Sequence, residues 1–168
     1  MPAQSIVDVE GTEAVSKVLL SLLNTFTQIS ECGQQVLFAT LSDTFGIGFF
    51  PTTGAAFLRD TEDITGHVKQ VCLYPFSIIY RAAPKSEAQR LRIKEFLDTL
   101  GKWLERQPVR LSGTEYQLTE YPELSSGNRI ITLISRSSPA YLNAAYQGGI
   151  EDWVISLRLT YENEFDRL

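Results

Sequence analysis

The sequence predicts an α+β domain: a mainly antiparallel sheet, with room for a mixed pair, carrying two helices on one face. Three observations predict it. Two stretches are amphipathic at helical spacing, a closing segment alternates apolar and polar residues, and turn-forming residues punctuate the runs between them. The 168 residues suit one domain, 1–168, because length divided by about 150 gives roughly one. Such a chain buries on the order of 70% of its unfolded surface, so its core needs no disulfide or metal.

The first helix is expected over about 12–30. Thr12 followed by Glu13 reads as an N-cap with a carboxylate near the positive end of the helix dipole. Val15, Leu19, Leu22, Leu23, Phe26 and Ile29 form one apolar stripe, and Gly33 supplies a stop. Next come short apolar pieces, Gly48-Phe49-Phe50 and Ala55-Ala56-Phe57-Leu58. They read as a hairpin around Pro51-Thr52-Thr53-Gly54. A polar turn at 60–63 leads into a longer strand on which Val68, Cys72, Tyr74, Phe76, Ile78 and Tyr80 share a parity that Gln70 breaks. Pro75 has no N–H to give a ladder, so this strand is expected to be an edge or to be bulged there.

Ser86 and Gln89 form a capping box for the second helix. Ile93, Phe96, Leu97, Leu100, Trp103 and Leu104 give it one apolar face, and Pro108 ends it. Lysines and arginines on its outer face are interleaved with Glu87, Glu95, Asp98 and Glu105, the pattern of a solvated, ion-paired surface. Beyond the turn Ser125-Ser126-Gly127-Asn128, a strand is expected over 129–137. A last strand runs from about 150 to 162. There Trp153, Ile155, Leu157, Leu159 and Tyr161 point one way, and Asp152, Ser156, Arg158, Thr160 and Glu162 the other.

Composition narrows the function. Fifteen Lys and Arg against 20 Asp and Glu give −5, which argues against a surface built to neutralise phosphates. Cys32 and Cys72 stand forty residues apart without a CxxC, and read as small hydrophobes in a reducing compartment. The N-terminus lacks a basic signal-peptide region, and the apolar run 15–26 is too short and polar to span a bilayer. The expectation is a soluble chain made in a cytoplasm.

The chemistry of catalysis is sparse. His67 is the one histidine, so no multi-His metal site is expected, and no GxSxG or HExxH motif is present. Gly101-Lys102 has Phe96 where a P-loop needs its first glycine, and Gly46-Ile47-Gly48 has Pro51 where a dinucleotide fingerprint needs its third. No catalytic residue, cofactor or metal is therefore assigned, and the chain is read as a non-enzyme.

Several stretches of the second half are distinctive. They are Tyr74-Pro75-Phe76-Ser77-Ile78-Ile79-Tyr80-Arg81, Lys85-Ser86-Glu87 and Phe96-Leu97-Asp98-Thr99-Leu100-Gly101-Lys102-Trp103-Leu104. To these add Gly127-Asn128-Arg129-Ile130-Ile131, Ala140-Tyr141-Leu142, and the ending from Glu151-Asp152-Trp153 to Thr160-Tyr161-Glu162. Together, over about 70–165, they resemble a family of siphophage and prophage structural proteins of Gram-positive hosts. Its members are often called minor capsid proteins and look like tail terminators. The resemblance implies a virion protein forming a ring with copies of itself, commonly a hexamer, at the head–tail junction. Its partners would be the major tail tube protein and a head-completion protein, with no specific nucleic-acid binding and no membrane. Two other classes stay open: a small adaptor domain binding one protein partner, and a small hydrolase with a site built from scattered residues.

A ring needs head-to-tail contacts, and such interfaces favour aromatic anchors. The chain has nine Phe, seven Tyr and two Trp. Phe49, Phe50 and Phe57 near the expected hairpin, and Tyr141 and Tyr146 in the segment before the last strand, exceed what one small core obviously needs, the alternative being that they pack over their own sheet. Phe49, Phe50, Tyr141 and Tyr146 are taken as candidate assembly contacts.

Overall fold

The computed structural model describes residues 12–31, 35–52, 56–124 and 128–167. Cys32, Gly33, Thr53, Gly54, Ala55 and the turn residues Ser125, Ser126 and Gly127 lie outside them, as do the side chains of Thr12, Glu13, Phe57 and Leu58.

The first helical stretch is two helices, α1 (Thr12–Asn24) and α2 (Thr27–Glu31). The backbone tightens at the junction, where the N–H groups of Thr25 and Phe26 reach the carbonyls three residues back. The Thr25 hydroxyl also bonds the Leu22 carbonyl, a local competitor to the helical ladder. The apolar stripe nevertheless runs unbroken across the joint, and Val15, Leu19, Leu22, Leu23, Phe26 and Ile29 are all buried. Asn24 ends α1 by gripping the next strand: its amide accepts from the Val36 N–H and donates to the Val36 and Leu20 carbonyls.

Among the described residues seven strands make one mixed sheet in the order β1-β2-β4-β9-β7, with β3 beside β4 and β8 beside β9. They are β1 (Val36–Phe38), β2 (Gly46–Pro51), β3 (Ala56–Glu62), β4 (His67–Ala82), β7 (Asn128–Arg136), β8 (Tyr141–Ala145) and β9 (Glu151–Asp166). Only β1 and β2 are parallel. A separate hairpin, β5 (Val109–Leu111) and β6 (Thr114–Tyr116), turns through Ser112 and Gly113, both at positive φ.

The expected hairpin around Pro51 does not form. β2 pairs with the C-terminal half of β4 and β3 with its N-terminal half, so the two lie end to end along one edge of β4. Pro75 explains the break between them. β4 is central rather than an edge, paired along its whole length with β9 on its other side. The Pro75 carbonyl accepts from the Thr52 N–H. The donor that Pro75 lacks therefore faces the point where the neighbouring strand is interrupted.

α3 (Glu87–Leu104) begins as expected, with the Ser86 hydroxyl accepting from the Gln89 N–H. The Gln89 side chain, however, accepts from Lys85 rather than from the N-cap residue itself. Gly101 lets α3 lie tightly on the sheet, since a Cβ there would meet Arg136 and Ile155 at 2.6 and 2.7 Å. α1, α2 and α3 bury one core with Tyr74, Phe76 and Ile78 of β4 and Ile155, Leu157, Leu159 and Tyr161 of β9. Gln70, the parity break, is also buried on this side and accepts from Asn163, which in turn accepts from Arg129.

Candidate functional site

The register sorts the four aromatic candidates. Directly opposed residues of neighbouring strands share a face. Phe49 pairs with Ile78, and is fully buried between Phe38, Tyr74 and Phe76. It is a core residue, and no surface of the single chain presents it to a neighbour. Phe50 pairs with Ser77, on the opposite face of the sheet. Tyr141 pairs with Val154, on that same opposite face, and is exposed.

Among the described residues no helix lies on that face. Following the register outward from β4, Phe50, Ile79, Val154, Tyr141, Leu133 and Ile130 all point to it, with Ser77 and Ser156 paired at its centre. Its apolar residues grow more exposed toward the β7 edge, where Leu133 is 50% and Ile130 64% exposed. A bulge between Ile131 and Leu133 keeps Ile131 and Ile134 in the core while leaving Ile130 and Leu133 outside. Sequence reading placed Ile130 and Leu133 in a strand without separating them from the core. The bulge that separates them has no marker such as Gly or Pro at Thr132.

Tyr146 plays another part. Its hydroxyl donates to Asp152, while its ring lies under the Arg81 guanidinium. Arg81 forks onto both Asp152 oxygens at 2.7 and 2.9 Å and donates to the Ser42 carbonyl. The hydrogen bonds from Arg81 hold the buried Asp152 carboxyl below the usual carboxylate range, against the opposing effect of burial. Beside this knot Arg90 binds both oxygens of the buried Glu151. Asp152 was expected on the solvent side of β9. Its face is right, but the ion pair and Tyr146 bury it.

The opposite end of the β4–β9 pair holds the single histidine. His67 Nδ1 meets Asp166 at 2.8 Å and Nε2 meets Glu164 at 3.3 Å. Asp166 first, then Glu164, raises its pKa above the ordinary histidine value. Both partners are carboxylates at one end of the sheet. Among the described residues no group of three or more His, Cys, Asp or Glu is disposed to hold a metal. Among the same residues no helix is long and apolar enough to cross a membrane.

No protein-family model matches the chain, and no curated protein does. Among solved structures, a chain of one titled "Virion of native gene transfer agent (GTA) particle" is similar in outline, with a TM-score of 0.48 and 10% identity. The alignment covers 94% of this chain and 100% of that one. A likeness at that level decides neither family nor role.

Proposed function

We propose that this chain is a virion structural subunit of the tail-terminator kind, which assembles head to tail into a ring at the head–tail junction. The observation that carries the reading is the uncovered face of the sheet. A lone subunit gains nothing by holding Phe50, Ile130, Leu133 and Tyr141 on one face without a helix over them, whereas an assembling subunit does. The sequence stretches of 70–165 that resemble phage minor capsid proteins support the same reading and supply the setting: a tail tube protein on one side, a head-completion protein on the other. The subunit in this reading is scaffolding and performs no catalysis.

Charge is consistent with a conduit. Six copies at −5 each give about −30 per ring, a field that repels DNA rather than arresting it. The test is mass by light scattering across a concentration series, with duplex DNA binding at low salt. Closed rings with no measurable DNA affinity are the expected result. Tight, salt-sensitive DNA binding would overturn the reading.

A further inference from the structure

We infer that the β3–β4 turn of one copy seats in a basic cleft of the next, between α2, α3 and the β5–β6 hairpin, adding a second, charge-matched contact to the head-to-tail interface that the open sheet face serves. The inference rests on the ring reading and names a further pair of surfaces that would help to close it.

The turn is built as a rigid knob. Asp63 Oδ1 accepts from the Thr65 N–H, the Thr65 hydroxyl and the His67 N–H. The backbone closes the loop from Gly66 N–H to the Asp63 carbonyl, and Arg167 N–H ties the chain end onto Gly66. Gly66, at φ +84°, has no room for a Cβ, which would lie 2.6 Å from the Arg167 carbonyl oxygen. On this fixed turn Ile64 is fully exposed, at 103%. Asp60, Glu62 and Asp63 lie within four residues of it along the chain, and Asp60 has no ion-pair partner among the described residues. Arg59 also stands near the turn, and Arg167 pairs with Glu62, so acidity dominates without being total.

The cleft has the complementary character. It encloses about 420 Å³ and is walled by Tyr80, Ile93 and Phe96, with the Tyr80 and Phe96 rings edge to face at 5.5 Å. Arg92 and Arg110 stand at its rim, exposed, and neither forms an ion pair among the described residues. Glu95 is the one carboxylate in the lining. Glu115 faces Arg110 across the β5–β6 hairpin without pairing to it. The Gln28 Oε1 atom, also in the lining, is buried with no donor. An apolar knob flanked by carboxylates matches the apolar walls and the two arginines of the cleft.

Geometry makes the contact intermolecular. His67 and Tyr80 lie at opposite ends of β4, about 40 Å apart at a rise of about 3.3 Å per residue. No chain can reach its own cleft with its own turn. Two different, complementary patches at opposite ends of one subunit give a heterologous contact, which closes into a ring when the rotation allows.

Charge reversal tests it with full-length chains. One variant carries R92E and R110E in the cleft, the other D60K and E62K at the turn. Sedimentation velocity and thermal melts are run on each alone and on the equimolar mixture. Each variant alone sets like charges against each other and should weaken association at least tenfold, at unchanged melting temperature. The mixture restores opposite charge at both alternating contacts and should associate as the wild type does. Association that survives either reversal, or a mixture that stays apart, overturns the turn–cleft contact; wild-type rings in that experiment would leave the ring reading standing. A wild type that remains monomeric throughout overturns the contact as well, while DNA affinity separately decides the conduit reading.

Discussion

The two faces of β9 place neighbouring residues in opposite circumstances. Ile155, Leu157, Leu159 and Tyr161 are sealed beneath the helices, whereas Arg158, Thr160 and Glu162 keep company with the exposed Ile130 and Leu133 of β7. An antiparallel sheet tolerates one solvated face, but that face is then ordinarily polar. Here the helix-covered face accounts for the fold, and the apolar part of the other face is left without a role in the single chain. Burial separates what stabilises the subunit from what is available to join subunits.

Substitutions on the two faces should therefore diverge. Leu157→Ala empties a packed site and should cost about 2–5 kcal/mol, read by urea denaturation. Leu133→Ala, on the open face, should stay within about 0.5 kcal/mol. Equal effects would erase the distinction between the faces. Asp152→Ala comes next, at about 2–3 kcal/mol, because it strands Arg81, whose partial exposure lets water recover some of the loss. The sign with pH is fixed by the lowered Asp152 pKa. The pair's contribution is present above the unfolded carboxylate value near 4 and is lost as pH falls through the lower folded one. The variant should accordingly show a flatter acid limb than the wild type.

Trp153 packs against the core from a half-buried position, with its indole N–H toward Glu151. Trp153→Ala should cost about 1–3 kcal/mol in the same denaturation assay, less than a fully enclosed tryptophan. The smallest effect belongs to His67. Its ring resonances should titrate above 6.5 in NMR, and Asp166→Asn should bring that midpoint down. A raised pKa favours the folded state below the unfolded value. That support is lost as pH rises through the folded value, so the turn end of β4–β9 should loosen on the alkaline side. A His67 midpoint unmoved by the substitution would remove Asp166 as the cause.

Long elements were legible because periodicity accumulates over many residues. The α1–α2 stripe, the α3 face, the Ser86 cap and the alternation of β9 were all written in side-chain chemistry. The division at Thr25 was not, because the stripe continues across it and a single threonine hydroxyl makes the difference. Strands of three to five residues, β1, β5, β6 and β8, are too short for a pattern to emerge, although Ser112-Gly113 carried a turn signal for β5–β6. Pro75 shows in the sequence alone that a ladder bond is missing. Its consequence fell on the neighbouring strand, which only tertiary pairing reveals. Phe49 and Phe50 show the limit most plainly: adjacent identical residues, one core and one on the open face, distinguished by register alone.

The central claim is that the open face serves assembly and not folding. It is tested most directly by one full-length variant, I130S/L133S/Y141S, followed by thermal melt and by mass from light scattering over a concentration series. The account predicts a melting temperature within about 4 °C of the wild type, since exposed positions contribute little to the subunit, together with loss of self-association. A variant that melts far below the wild type, or that assembles just as the wild type does, would contradict it.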